Sequence, residues 1–75
     1  MTNSEVVIYS KPDCLLCDEL KDLLRGRGIP FEERSIVTRL TWFRLYRHRV
    51  PVLVMPNGRE HGPPFSPAFI ARLFG

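Results

Sequence analysis

Hydrophobic and polar positions alternate in blocks along the chain, and the first block is an unbroken apolar run, Val6-Val7-Ile8-Tyr9. Continuous β-branched residues of this kind suit a strand covered on both faces. A first strand is therefore expected from Glu5 to Tyr9, with Ser10-Lys11-Pro12-Asp13 as the turn that leaves it. From Cys14 the period changes. Leu16, Cys17, Leu20, Leu23 and Leu24 recur at helical spacing, predicting a helix whose apolar stripe faces the sheet. Asp18 and Glu19 lie in its first turn, where negative charge complements the helix dipole. Gly26 and Gly28 bracket its C-terminal stop.

Ile29-Pro30-Phe31 leads into a second strand, roughly Phe31 to Ile36. Thr38 to Arg47 reads as a second helix, with Leu40, Phe43 and Tyr46 or Arg47 on one stripe and Trp42 and Leu45 beside it. Val50-Pro51-Val52-Leu53-Val54-Met55 is a third strand with proline at its head, a position where the missing N–H costs little. Pro56-Asn57-Gly58 predicts a hairpin with a type I′ turn. Arg59-Glu60-His61 follows as a short polar edge strand, and Gly62-Pro63-Pro64-Phe65 as a loop. Ser66 is a good helix N-cap with Pro67 at the first helical position. Phe69, Ile70, Leu73 and Phe74 form the apolar face of a last helix.

The predicted order is βαβαββα, three helices and a four-stranded sheet, in the α/β class. A β-α-β opening makes the first two strands parallel through a right-handed crossover. The hairpin makes the last two antiparallel, so the sheet is mixed, with helices available to both faces.

The 75 residues make one domain, 1–75, with a thin core. A chain this short buries only about 60% of its unfolded surface. No apolar run approaches the ~20 residues of a membrane span. Met1 to Glu5 has no basic segment followed by an apolar stretch, so no signal peptide is expected and a cytoplasmic location is. The formal net charge is +3. Arg34, Arg39, Arg44, Arg47 and Arg49 gather in one region, which reads most simply as a solvated helix face. Such a patch also suits an acidic protein, a nucleic acid or an anionic small molecule. Neither nucleic acid nor membrane is expected as a partner, and the chain is expected to be a monomer.

The chemistry lies in Cys14-Leu15-Leu16-Cys17, the only two cysteines present. Two thiols at this spacing close a small ring as a disulfide and reopen. A thiol at a helix N-terminus meets free backbone N–H groups and the positive end of the dipole, which favour the reactive thiolate. Strand, Cys-x-x-Cys, helix reads as a thiol–disulfide exchange site. His48 and His61 match no zinc-ligand spacing with these cysteines and read as surface residues. Trp42 and Phe43 are expected in or near the core. Phe65, in a proline-rich loop, is expected either to pack under the site or to meet a partner.

Tyr9-Ser10-Lys11-Pro12-Asp13-Cys14-Leu15-Leu16-Cys17-Asp18-Glu19, then Arg49-Val50-Pro51-Val52-Leu53-Val54, resemble the thioredoxin superfamily, and more narrowly the short glutaredoxin-like proteins. The resemblance covers nearly the whole chain. It implies a thioredoxin-like, glutaredoxin-type fold and a thiol–disulfide oxidoreductase that reduces protein or glutathione mixed disulfides. Cys14 would be the nucleophile and Cys17 the resolving thiol. Val50-Pro51 resembles the family's cis-proline loop, whose backbone pairs with an extended substrate. Lys11 is either a surface lysine or a partner for the thiolate or a substrate carboxylate, and Arg49 is a candidate for the carboxylate too. No bound cofactor is implied; glutathione or thioredoxin reductase would supply electrons.

The chain departs from glutaredoxins in three places. Leu15-Leu16 replaces Pro-Tyr between the cysteines, and Arg49 replaces the threonine before Val-Pro. Gly62-Pro63-Pro64-Phe65-Ser66-Pro67 stands where a Gly-Gly and acidic residues would hold glutathione. That segment resembles the redoxins that serve ribonucleotide reductase and are recharged by thioredoxin reductase. A redox-silent binding module on the same fold is the alternative from another class.

Overall fold

A computed structural model describes residues 5–75; Met1 to Ser4, which carried the expected absence of a leader, lie outside the described residues. The elements are β1 (Val7–Ser10), α1 (Leu15–Gly26), β2 (Glu32–Ser35), a 3-10 turn (Ile36–Thr38), α2 (Leu40–Tyr46), β3 (Val52–Val54), β4 (Glu60–His61) and α3 (Pro67–Phe74). The sheet runs β2-β1-β3-β4. β1 is parallel to β2, with Ser10 opposite Ser35, and antiparallel to β3, with Tyr9 opposite Val52. β4 is antiparallel to β3. This is the expected thioredoxin-like α/β architecture. The apolar run Val7-Ile8-Tyr9 lies in an interior strand, as its two-sided hydrophobicity requires.

Strand alternation divides the core in two. Val6, Ile8 and Leu53 point to one face and meet Leu20, Leu24 and Ile70 from α1 and α3. Tyr9 and Val52 point to the other face and meet Ile36 and Tyr46. Tyr46 stacks on Tyr9 with ring centroids 4.4 Å apart, and Trp42 meets the same ring edge-on at 5.5 Å.

The strands are shorter than the apolar runs suggested. Ser10 joins β1 because it pairs with Ser35, whereas Glu5 and Val6 precede the ladder. Val50 and Pro51 stand outside β3, and the bond between them is cis.

Two expected helical stripes are corrected. Leu16 is 49% exposed, because the buried line of α1 is Cys17, Leu20 and Leu24 and Leu16 falls a quarter-turn off it. The expected helix Thr38–Arg47 is divided at Arg39, whose extended backbone (φ −142°, ψ 129°) ends the 3-10 turn and resets the helical phase. The buried side of α2 is Trp42 and Tyr46, which fill the space over Tyr9. Of the expected stripe Leu40, Phe43 and Tyr46 or Arg47, only Tyr46 is buried; Leu40 is 63% exposed, and Phe43, expected in or near the core with Trp42, is 36% exposed.

The hairpin differs as well. The Gly58 N–H donates to the Met55 carbonyl at 2.8 Å, so Pro56 and Asn57 are the central turn residues. Proline fixes a negative φ, which a type I′ turn does not accept. The positive φ falls on Gly58 alone (88°), and the Asn57 side chain accepts from the Arg59 N–H at 2.9 Å.

Candidate active site

The register brings several loops to one end of the sheet. The chain leaves β1 there after Ser10 and leaves β2 after Ser35; it enters β3 there before Val52 and leaves β4 after His61. Cys14 and Cys17, the Val50–Pro51 bond and the Gly62–Ser66 loop therefore belong to one end.

Asp13 makes the approach to Cys14 with a left-handed backbone (φ 57°), a conformation aspartate tolerates better than most side chains. Cys14 is then the N-cap of α1. Its Sγ accepts the Cys17 N–H at 3.1 Å, and its carbonyl accepts the Asp18 N–H at 3.1 Å. The sulfur thus takes the place that a serine or aspartate oxygen ordinarily fills. Cys14 is half-buried, whereas Cys17 is 1% exposed beneath the first turn. The two are joined as a disulfide, with Cα atoms 5.2 Å apart. Leu15 (71% exposed) and Leu16 stand beside them as an apolar lip.

The other candidate residues are placed unevenly. Pro51 is fully buried and Val50 half-buried in the loop entering β3. Lys11 is exposed and makes no ion pair among the described residues. Arg49 is committed elsewhere. It pairs with Glu60 at 3.1 Å, donates to the Leu45 carbonyl at 3.4 Å, and lies 5.0 Å over the Tyr46 ring. Phe65 packs against the α1–α3 core, 6.1 Å from the Phe69 ring. It also lines a shallow 350 Å³ cleft with Glu19, Asp22, Leu23 and Pro67, and neither cysteine lines that cleft.

Two polar networks escaped the sequence reading. On the α1 side, the Ser10 hydroxyl donates to Glu33 at 2.7 Å and the Lys21 ammonium to the same oxygen at 2.9 Å. The serine hydroxyl, then the ammonium, hold the Glu33 carboxyl below its ordinary pKa; Glu33 in turn raises that of Lys21. Lys21 lies four residues after Cys17, hence on the same helix face. Glu33 lies opposite Ile8 in the ladder. Only the Cys17–Lys21 spacing is a local sequence signal; the pairing with Glu33 depends on the ladder register.

On the α2 side, Arg34 donates to the Tyr9 hydroxyl at 2.9 Å and pairs with Glu32 at 2.6 Å. The Tyr46 hydroxyl donates to Glu60 at 2.8 Å. Burial, reinforced by Glu60, pushes the Tyr46 phenol up to about 12. This network ties α2 and the residue before the Val50–Pro51 loop to β4.

Comparison with known proteins agrees with this geometry. Residues 5–73 match the model of the glutaredoxin-like domain (DUF836). The chain belongs to this glutaredoxin-like family. As a member, it carries the cysteine pair at the head of α1 that suits a redox-type protein of thioredoxin-like fold. Among solved structures it is similar to target protein XcR50 from X. campestris. The X-ray structure of that protein is 31% identical over 92% of this chain and 93% of that one, with a TM-score of 0.84. Its solution structure, also 31% identical, gives 0.80 over 92% and 90%. Protein Ne2328 from Nitrosomonas europaea is 26% identical over 97% and 98% of the two chains, with a TM-score of 0.74. No curated protein matches. Among the described residues of this glutaredoxin-like chain, no helix is long and apolar enough to cross a membrane.

Proposed function

We propose that this protein is a thiol–disulfide oxidoreductase that reduces protein disulfides or glutathione mixed disulfides. The observation that carries the reading is the placement of Cys14 Sγ at the N-cap of α1, half-exposed and accepting a backbone N–H, over a buried Cys17. The Cys14 thiolate attacks one sulfur of the substrate disulfide. A mixed disulfide forms and the other substrate sulfur leaves as a thiolate that takes up a proton. The Cys17 thiolate then attacks the Cys14 sulfur and expels the second substrate thiol. The substrate gains two electrons and two protons, and the Cys14–Cys17 disulfide is left behind.

In this reading the Val50 backbone pairs with an extended substrate segment next to Pro51, which supplies affinity without side-chain specificity. Lys11 is free to meet a substrate carboxylate. Arg49 does the same with the N–H groups that Glu60 and Leu45 leave open, since a guanidinium carries five donors. The protein works as a cytoplasmic monomer with no resident cofactor.

A second reading concerns the reductant. The segment Gly62 to Pro67 contains no carboxylate, so it offers no anionic partner for the amino group of glutathione. That favours recharging by thioredoxin reductase, as in the redoxins that feed ribonucleotide reductase. The test is NADPH consumption with a disulfide substrate under two systems, glutathione with glutathione reductase and thioredoxin reductase alone. Turnover with thioredoxin reductase only supports this second reading, and turnover with glutathione only replaces it with a glutaredoxin-type cycle. Silence in both favours the redox-silent binding module.

A further inference from the structure

Leu40, Phe43, Arg44 and Arg47 follow the i, i+3, i+4, i+7 spacing of one helix face, and all four are exposed. Val37, 57% exposed, stands just before them in the 3-10 turn. A helix ordinarily turns such aliphatic and aromatic positions toward its own core. Here Trp42 and Tyr46 occupy that role, and the outer face carries apolar side chains that none of the described residues buries. Its charge is one-signed. Residues 36–59 contain five arginines and no acidic residue. Among the described residues Arg39, Arg44 and Arg47 have no carboxylate partner, and the Arg47 guanidinium lies 5.7 Å over the Phe43 ring.

Both ends of α2 return to the end of the sheet that holds Cys14, since its chain leaves beside Ser35 and re-enters before Val52. The exposed Leu15-Leu16 lip lies at that end as well, on α1 across the sheet from α2. We propose that this outer face of α2 docks an acidic protein, which presents its disulfide to Cys14 at the same end of the sheet. The proposal rests on the dithiol reading above and names its substrate class. An apolar centre with a charged rim is the anatomy of a protein interface. A nucleic acid is the poorer fit. Val37 and Leu40 offer nothing to a phosphate backbone, and the Trp42 ring that would stack on a base already has Arg34 at 5.6 Å and Arg39 at 5.0 Å.

The probes are three synthetic peptides, each closed by one internal disulfide and flanked by leucines plus glutamate, glutamine or lysine. Pre-reduced protein is mixed with each, and the second-order rate of a single turnover is measured; protein dithiol and peptide disulfide exchange without added reductant. The glutamate peptide should react roughly tenfold faster than the lysine peptide at low salt, with the ratio collapsing at about 1 M salt. Arg44→Gln with Arg47→Gln should bring the ratio toward one, and Arg44→Glu with Arg47→Glu should invert it. Equal rates for the three peptides, alongside turnover of bis(2-hydroxyethyl) disulfide, would overturn the docking surface and leave the dithiol reading standing. No reaction with any disulfide would overturn both. An oligonucleotide that displaces the glutamate peptide better than polyglutamate does would assign the face to nucleic acid and overturn the proposal.

Discussion

The backbone N–H of Cys17 donates to the sulfur of Cys14 at 3.1 Å. That one hydrogen bond orders the pair chemically. The first sulfur receives the open end of a helix, and the second is sealed beneath it. In the reduced protein, Cys14 should be alkylated at least tenfold faster than Cys17 at neutral pH, because reactivity follows thiolate character and exposure. Mass mapping after brief exposure to iodoacetamide checks this. Cys14→Ser should abolish reductase activity. Cys17→Ser should trap mixed disulfides through Cys14; full dithiol turnover in that variant would refute the assigned roles.

Glu33 links stability to acid. Its folded pKa is depressed by Ser10 and Lys21, so its contribution is present above the ordinary carboxyl value of about 4.3. It is lost as pH falls through the folded value. Glu33 and Lys21 are partly solvated, so the contribution is about 1 kcal/mol or less. Glu33→Gln should lower the urea midpoint near neutral pH, and the gap to the unsubstituted protein should close at an acid pH where the carboxyl is protonated in both the folded and unfolded chain. An equal gap at both pH values would show that the carboxylate charge is not what matters.

Tyr46 links stability to base. Its raised pKa, to about 12, means the contribution is complete below the ordinary phenol value of about 10. It fades as pH rises through the folded value. In an absorbance titration of phenolate formation, the step missing from Tyr46→Phe should be the one near about 12. A missing step near about 10 would place the hydroxyl in solvent.

The helix faces predict opposite outcomes for one kind of truncation. Leu20 is fully buried against Ile8 and Leu53, and Leu20→Ala should cost about 2–5 kcal/mol. Leu40→Ala, on the solvent side of α2, should change stability by no more than about 0.5 kcal/mol. Chemical denaturation of the two variants separates these cases, and a large loss at Leu40 would contradict the orientation of α2.

Element order and the central place of β1 were legible because the unbroken apolar run Val6–Tyr9 and the period-3.6 pattern of Cys17–Leu24 are strong signals. The face of α2 was not. Leu40, Phe43, Trp42, Leu45 and Tyr46 surround that helix with apolar side chains, so no stripe stands out; burial was decided by the Tyr9 ring across the sheet. The hairpin signal Asn57-Gly58 is overridden by Pro56, whose ring moves the turn back by one residue. At the site, the cysteine pair announced itself by spacing. The commitment of Arg49 to Glu60 rests on two residues eleven apart in sequence, a distance no local pattern spans. The Ser10–Glu33–Lys21 network was hidden for the same reason.

The most direct measurement is an equilibrium redox titration of the Cys14–Cys17 pair in buffers of defined thiol–disulfide potential, read by alkylation and intact mass. The account predicts one two-electron transition, changing about tenfold in oxidised-to-reduced ratio per ~30 mV, within the range of roughly −120 to −300 mV that exchange proteins occupy. A pair that stays wholly oxidised or wholly reduced across that range would contradict it, and the cysteines would then be structural.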